Sequence, residues 1–279
     1  MLERTLRAEE KISNNCNYLK YTVNQYHGVK MKTDYNEAST TYDNTRKSNE
    51  ELIDLFNNKM NFTTNMNILD FGCGTGNYLL SISNKFQSNC FGVEPSDGMI
   101  EKALVKNPGL SIKKGDHIQI PFEDGFFDFI YMTDVIHHVP DLDKLFETLN
   151  EKLKENGKIC IVTESHDQIK SRWYNKYFKS LVTIEQKRYP DISKIIINAN
   201  KHKLVSLENK NKLSRNINIV DDYFIKMVEE KNYSMFRLLE EKEFNEGLIQ
   251  LKSDKGKSIV SEKHGETLVW LQKMKTSNN

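Results

Sequence analysis

The sequence lacks the features of a membrane protein, a disulfide-rich protein or a protein with a structural zinc site. None of its hydrophobic runs approaches the roughly 20 residues that a membrane-spanning helix needs, and its first residues, MLERTLRAEE, carry charges where a signal peptide has its apolar stretch. Its four cysteines, at positions 16, 73, 90 and 160, are too few for a disulfide scaffold and too far apart for a paired zinc site. We therefore expect a cytoplasmic protein with free thiols and no metal.

The chain also has almost no net charge. Its 279 residues include 40 Lys and Arg against 39 Asp and Glu, which leaves no overall field to steer it to nucleic acid or an anionic membrane. The charges are unevenly placed, however. Residues 168–215 hold 12 basic and three acidic side chains, whereas residues 1–167 hold 18 basic and 25 acidic ones. The neutral average conceals one basic segment that needs its own interpretation.

Strand-like and helix-like segments alternate along the first part of the chain. Short apolar runs at residues 67–71, 90–93, 110–112, 127–132 and 158–163 predict five strands, and segments with helical spacing follow most of them. Short links between such units predict a parallel sheet with helices on both faces. Beyond residue 167 the pattern loosens, and it predicts helices, a strand near 204–207, a helix over 236–251 and a closing strand over 267–271.

The run ILDFGCGTG connects the first strand to its helix. It brings Asp70 to the carboxyl end of the strand, and Gly72, Gly74 and Gly76 allow a tight turn that a ligand can approach closely. Open parallel sheets bind ligands at this end of their strands. The dinucleotide-binding pattern needs a glycine at position 77, where the chain has Asn77, so the turn alone does not separate a binding site from a structural bend.

Two carboxylates follow at the ends of the next strands. Glu94 ends the second strand, where a carboxylate can accept both hydroxyls of a ribose, and Asp116 follows the third strand. Each of them alone is more typical of a cap or a solvated charge. Together with the glycine turn they predict a nucleoside pocket.

Five motifs in this order resemble those of the class I S-adenosylmethionine-dependent methyltransferases. They are YDNTR, ILDFGCGTG, GVEPSDGMI, GDHIQIPFEDGFFD and DVIHHVPD, and the match covers about residues 35–165. The group with small-molecule and quinone-biosynthesis methyltransferases is the most similar. This resemblance implies an α/β fold with a Rossmann-like sheet, helices on both faces, a helical lid from the N-terminus and an insertion after the fifth strand.

The resemblance also divides the chain. Residues 1–34 would be an N-terminal extension and possible lid, and residues 35–167 the cofactor-binding core. Residues 168–255 would form a basic and aromatic lid over the substrate, and residues 256–279 the closing strand and tail.

The resemblance implies that S-adenosylmethionine is bound and S-adenosylhomocysteine is released. Arg46 would pair with the cofactor carboxylate, Glu94 with the ribose and Asp116 with the adenine amino group, while Tyr35 and Tyr42 would shield the site. The residues implied for cofactor binding are Tyr42, Arg46, Asp70, Gly72, Gly74, Glu94, Pro95, Met99, Asp116, His117 and Thr133.

Methyl transfer mainly requires alignment of the acceptor and exclusion of water. Asp134 and His138 follow the fourth strand and His166 follows the fifth, so these three side chains are candidates for taking the proton of the acceptor. Asp134 is equally suited to capping the next turn, and His166 to an ordinary loop. These alternatives stay open at the level of sequence.

The basic segment interleaves cations with aromatic residues. This pattern suits an anionic, partly planar acceptor, or else an amphipathic helix with solvated cations. The candidates for substrate contact, including two from a later aromatic stretch, are Arg172, Trp173, Tyr177, Tyr223 and Tyr233.

The prediction is a metal-free methyltransferase, monomeric or dimeric, that methylates an N, O or C atom of a small molecule or short peptide. Nucleic acid is the less favoured substrate, because the fourth motif reads TDVI rather than the Pro-Pro-Tyr motif of amino-directed base methyltransferases. An RNA methyltransferase and a non-catalytic cofactor-binding protein remain the alternatives.

Overall fold

The fold is seen over residues 48–275 of a computed structural model, without the side chains of residues 210–217 and 262–264. The predictions for Tyr35, Tyr42, Arg46 and the extension over residues 1–34 lie outside the described residues.

Within residues 48–275, seven strands form one sheet in the order β3-β2-β1-β4-β5-β7-β6. Strands β1 to β5 run parallel, and β7 is antiparallel to both of its neighbours. The predicted Rossmann-like sheet is confirmed. The strands are β1 (Asn67–Phe71), β2 (Asn89–Glu94), β3 (Ser111–Lys114), β4 (Phe127–Thr133), β5 (Leu153–Thr163), β6 (Leu204–Ile219) and β7 (Ser258–Lys273).

Several of the helices begin at a polar side chain that caps them. Asn49, Ser96 and Asp141 each accept a hydrogen bond from a backbone N–H of the first turn that follows. The described helices are α1 (Glu50–Met60), α2 (Asn77–Phe86), α3 (Asp97–Lys106), α4 (Leu142–Lys152), α5 (His166–Lys170), α6 (Leu181–Arg188), α7 (Ile192–Lys201), α8 (Asp222–Glu229) and α9 (Glu241–Ser253). Short 3-10 turns lie at Ile136–His138, Trp173–Lys176 and Ser234–Leu238.

Apolar side chains are buried on both faces of the sheet. On one face, α1 packs Phe56 against Phe129 and Trp270, and on the other, α4 buries Leu145 and Leu149. Burying each such side chain stabilises the fold by roughly 1.5–3 kcal/mol. None of the helices within the described residues is long and apolar enough to cross a membrane.

The segment over residues 168–255 is only partly separate from the sheet, and its role as a lid stays a prediction. Helix α7 buries Ile195 and Ala199 in the core under the sheet, and β6 pairs with β7 along its whole length. The strand predicted near 204–207 continues to Ile219. Its Lys and Asn residues are typical of an edge strand. They also interrupt the alternation of apolar and polar residues by which a strand is recognised in a sequence.

The remaining parts of this segment form a small hydrophobic cluster, which we call the lid cluster. It joins the stretch after β5 to the insertion between β6 and β7, and its buried members include Tyr177, Phe178, Leu181, Ile225, Phe236 and Phe244. Strand β5 ends opposite Thr267, whereas β6 and β7 remain paired as far as Ile219 and Ser258. The two long strands therefore carry the insertion beyond the carboxyl edge of β5.

Candidate active site

The glycine turn after β1 is closely surrounded by neighbouring chain. The N–H groups of Gly72 and Cys73 both donate to the carbonyl of Val93, at 2.7 and 3.1 Å. Gly72 has φ +76, and a Cβ there would lie 2.6 Å from Cγ2 of Val135. Only glycine fits both the backbone angle and the space.

Glu94 links this turn to the start of α3. Its side chain is buried, its Oε2 accepts from the N–H of Gly74 and its Oε1 from the N–H of Ser96, both at 3.0 Å. Burial raises the pKa of Glu94, and the two amide hydrogen bonds oppose the rise. Next to it, Met99 is buried at the first turn of α3 and Pro95 is exposed.

Asp70 is a buried carboxyl at the end of β1. Only 2% of the residue is exposed, and burial raises its pKa to about 8, with a further contribution from the charge of Glu94. The Tyr131 hydroxyl faces Asp70 and partly opposes the rise, but among the described residues it has no partner with hydrogen-bond geometry. A cation bound beside this buried carboxyl would favour its ionised form and lower its pKa.

Replacing Asp70 with asparagine should therefore change the pH dependence of stability. The native carboxyl holds its proton up to about pH 8 whereas the unfolded one loses it near 3.8, so the wild-type protein loses stability as the pH rises between these values. Asparagine does not titrate. Measured without ligand, the melting temperature of Asp70→Asn should gain a few degrees on the wild type between pH 5 and pH 8, and a constant difference would contradict the raised pKa.

The loop after β3 uses Asp116 as a structural cap. Its Oδ1 accepts from the N–H groups of Ile118 and Gln119, at 2.8 and 3.1 Å, and Gly115 donates to the carbonyl of Glu94 at 3.2 Å. The half-buried Asp116 and His117 therefore lie beside the end of β2. Their predicted contacts with the adenine part stay predictions.

The end of β4 holds Asp134 in an unusual backbone conformation. Its φ is +56, its N–H donates to the carbonyl of Val162 at 3.2 Å, and Thr133 before it is half-buried. Left-handed backbone at a residue other than glycine costs free energy and is often found at functional sites. The negative charge of Asp134 contributes to raised pKa values of Glu164 and Tyr189.

The histidines after β4 and β5 meet at Tyr189. The His137 ring stacks on the Tyr189 ring with centroids 4.1 Å apart, and the exposed His138 lies beside His137. His166 Nε2 lies 2.9 Å from the carbonyl oxygen of Tyr189, an acceptor that only a protonated ring nitrogen can bind. His166 thus anchors Tyr189, and its predicted role as a base would have to use Nδ1.

Two arginines of the basic segment are already paired. Arg172 Nε lies 2.7 Å from Glu164 Oε2, Arg172 Nη1 lies 2.8 Å from Glu185 Oε2, and Glu185 Oε1 also binds Arg188. We call Glu164, Arg172, Glu185 and Arg188 the ion network. Arg172 is therefore not a cation free to bind an anion, because it is paired. It is also not a solvated side chain, because only 9% of it is exposed.

The aromatic residues predicted to contact substrate differ in where they lie. Tyr177 is inside the lid cluster, with its hydroxyl donating to Asp254 at 2.9 Å, a position that favours packing over substrate contact. Trp173 and Tyr233 are half-buried against the same cluster, and Tyr223 is 53% exposed. Their roles toward a substrate stay predictions.

Sequence reasoning missed Glu185, Tyr189 and Tyr131. The spacing of Glu185 and Arg188, three residues apart on one helix, is a signal for an ion pair. No local pattern indicates that Tyr189 stacks on His137, because 52 positions separate them in the sequence.

The three described cysteines, Cys73, Cys90 and Cys160, are free thiols as predicted, and Cys16 lies outside the described residues. Burial raises the pKa of each of the three, so none of them suits a nucleophile. Within residues 48–275, no group of three or more His, Cys, Asp or Glu side chains could hold a metal ion. The metal-free site stays a prediction.

Comparison with known families agrees with this geometry. Residues 42–203 match the family described as a methyltransferase domain. The chain belongs to this methyltransferase family. Its sheet has the class I methyltransferase architecture. This chain superposes on the crystal structure of a putative methyltransferase from an antibiotic biosynthesis pathway of Anabaena variabilis. That superposition has a TM-score of 0.68 and 20% identity and covers 81% of this chain and 98% of the other.

Two further relatives are named by their acceptors. A sterol 4-C-methyltransferase of Caenorhabditis elegans is 31% identical over 137 residues, which are 46% of this chain and 40% of that protein. The structure of Haemonchus contortus phosphoethanolamine N-methyltransferase 2 with S-adenosyl-L-methionine gives a TM-score of 0.60 at 19% identity, over 89% of this chain and 61% of that one. The methyltransferase chain spans less than half the length of the first curated relatives that it matches.

Proposed function

We propose that this protein transfers a methyl group from S-adenosylmethionine to a small-molecule acceptor. The observation that carries the proposal is the buried Glu94 carboxylate fixed against the glycine turn at the carboxyl edge of the sheet. The family match and the structural neighbour bound to S-adenosylmethionine support the same function. The predicted cytoplasmic location stays a prediction.

The residues at this edge fit the proposed cofactor. Gly72 lets the turn pack directly against Val135, and Glu94 offers two carboxylate oxygens for the ribose hydroxyls. Asp70 is a buried carboxyl beside the Tyr131 hydroxyl, and the positive charge of an ammonium group next to it would favour its ionised form. Arg46 and Tyr42 are proposed to complete the site at the carboxylate end of the cofactor.

When bound, S-adenosylmethionine supplies a methyl group on a positively charged sulfur. The chain then has to orient the acceptor, exclude water and remove a proton from the acceptor atom. We propose that Asp134 and His138 serve the last of these needs, because Asp134 is held at the end of β4 by its hydrogen bond to Val162. The stack of His137 on Tyr189 provides a rigid wall beside them.

A single experiment separates this function from its alternatives. The protein is incubated with methyl-labelled S-adenosylmethionine and a metabolite extract of its source cells, with and without ribonuclease, and labelled products are identified by mass spectrometry. We expect a labelled small molecule that ribonuclease does not remove. Label lost with ribonuclease would instead identify an RNA methyltransferase, and binding without any labelled product would identify a non-catalytic protein.

A further inference from the structure

The charges of the ion network sum to zero. Two carboxylates alternate with two guanidinium groups, and the exposed fractions of their side chains are 24% for Glu164, 9% for Arg172, 2% for Glu185 and 7% for Arg188. Arg188 also donates to the Ser234 hydroxyl at 3.1 Å. Glu185 is the bridging member, because both arginines share its carboxylate.

The network opens toward the carboxyl edge of the sheet at Glu164. This residue directly follows β5, and the charge of Asp134 at the end of β4 acts on it. At the same edge, the guanidinium carbon of Arg172 lies 5.5 Å from the ring centroid of Tyr189, whose ring stacks on His137. The most accessible group of the network is therefore a carboxylate, and the arginines lie behind it.

Lys176, another cation of this stretch, has its own partner. Its ammonium group lies 2.9 Å from Asp254, on the side of the lid cluster. Arg172, Lys176 and Arg188 each have an acidic partner, so these three cations do not offer a free positive charge to an acceptor beside Glu164.

We infer that Glu185 sets the charge preference of the acceptor site by neutralising Arg172 and Arg188, so that the acceptor is an uncharged or amine-bearing molecule rather than an anion. This inference rests on the proposed function, because it places the acceptor beside Glu164 and the stacked rings of His137 and Tyr189. It reverses the preference for anionic acceptors that the basic segment suggests. A phosphate or carboxylate at this wall would meet the Glu164 carboxylate before it could reach an arginine, and like charges repel.

Removing Glu185 should leave Arg188 without its carboxylate and create an anion site inside the ion network, behind Glu164. In Glu185→Gln the network keeps one carboxylate for two guanidinium groups, and an uncompensated buried charge is costly, so an anion in solution gains a partner. The double variant Glu185→Gln/Arg188→Gln restores neutrality and is the matched control. Inorganic phosphate is titrated by calorimetry into wild type and both variants at low ionic strength, with and without saturating S-adenosylhomocysteine.

We expect Glu185→Gln to bind phosphate at least ten-fold more tightly than the wild type, and the double variant to return to the wild-type value. If Glu185→Gln fails to fold, Glu164→Gln creates the same surplus at the exposed end of the network. Equal phosphate binding in wild type and a folded single variant would overturn the inference, as would wild-type phosphate binding that Arg172→Gln abolishes. Failure of the wild type to bind S-adenosylhomocysteine would instead refute the proposed function, and the phosphate titration without it would still test the network.

Discussion

Replacing Glu94 with alanine should weaken the binding of S-adenosylhomocysteine by about 100-fold. The variant removes both carboxylate oxygens offered to the ribose, and hydrogen bonds to a charged group contribute about 1.5–3 kcal/mol each. It also leaves the N–H groups of Gly74 and Ser96 without their acceptor, which loosens the turn that faces the ligand. Isothermal titration calorimetry of the purified variant measures the change directly.

The control for this experiment is a nearby acid outside the site. Asp97 lies three residues further on at the start of α3, its side chain is 74% exposed, and its ion pair is with the exposed Lys114. Asp97→Ala should keep its affinity within about two-fold, because an exposed ion pair contributes little. Equal affinity of wild type and Glu94→Ala would exclude the ribose contact.

Replacing Gly72 with alanine should lower the free energy of unfolding by about 3 kcal/mol. Left-handed backbone costs an alanine roughly 1–2 kcal/mol, and forcing a methyl group into a filled space adds about 1–3 kcal/mol. The filled space is specific, because the new Cβ would lie 2.6 Å from Cγ2 and 2.8 Å from Cγ1 of Val135. Urea denaturation of the two proteins gives the difference.

Gly125 separates the two contributions. It has φ +62, close to that of Gly72, but a Cβ there meets nothing within 4 Å. Gly125→Ala should therefore show the backbone cost alone, roughly 1–2 kcal/mol. If both alanine variants lose the same stability, the close approach of Val135 to the turn contributes nothing and the structural account of Gly72 is wrong.

Local patterns predict the cofactor half of this protein well. Strands β1, β2, β4 and β5, the glycine turn and the acids at the strand ends all depend on neighbouring residues, and each is found close to its predicted position. The inward side of α4 follows from apolar spacing in the same way. Periodicity works here because each element is buried on a defined side by the same sheet.

Residues 168–255 could not be predicted to the same extent. The positive surplus of residues 168–215 is a property of composition, whereas the pairing of Arg172 depends on contacts with Glu164 and Glu185 that only the folded chain brings together. Likewise, the side chain of Tyr177 is of a type often found in binding pockets, but it lies inside the lid cluster. Charge and aromatic content indicate which chemistry a segment can perform, not which partners already occupy it.

The two ends of the insertion between β6 and β7 lie side by side. Val220 donates to the carbonyl of Lys257 at 3.1 Å, and Gly256 donates to the carbonyl of Val220 at 2.8 Å. The insertion between these residues therefore leaves and rejoins the sheet at the same place. A segment with adjacent ends can change in length at little entropic cost to the rest of the fold. The insertion can be exchanged as a module during evolution while the cofactor half stays intact.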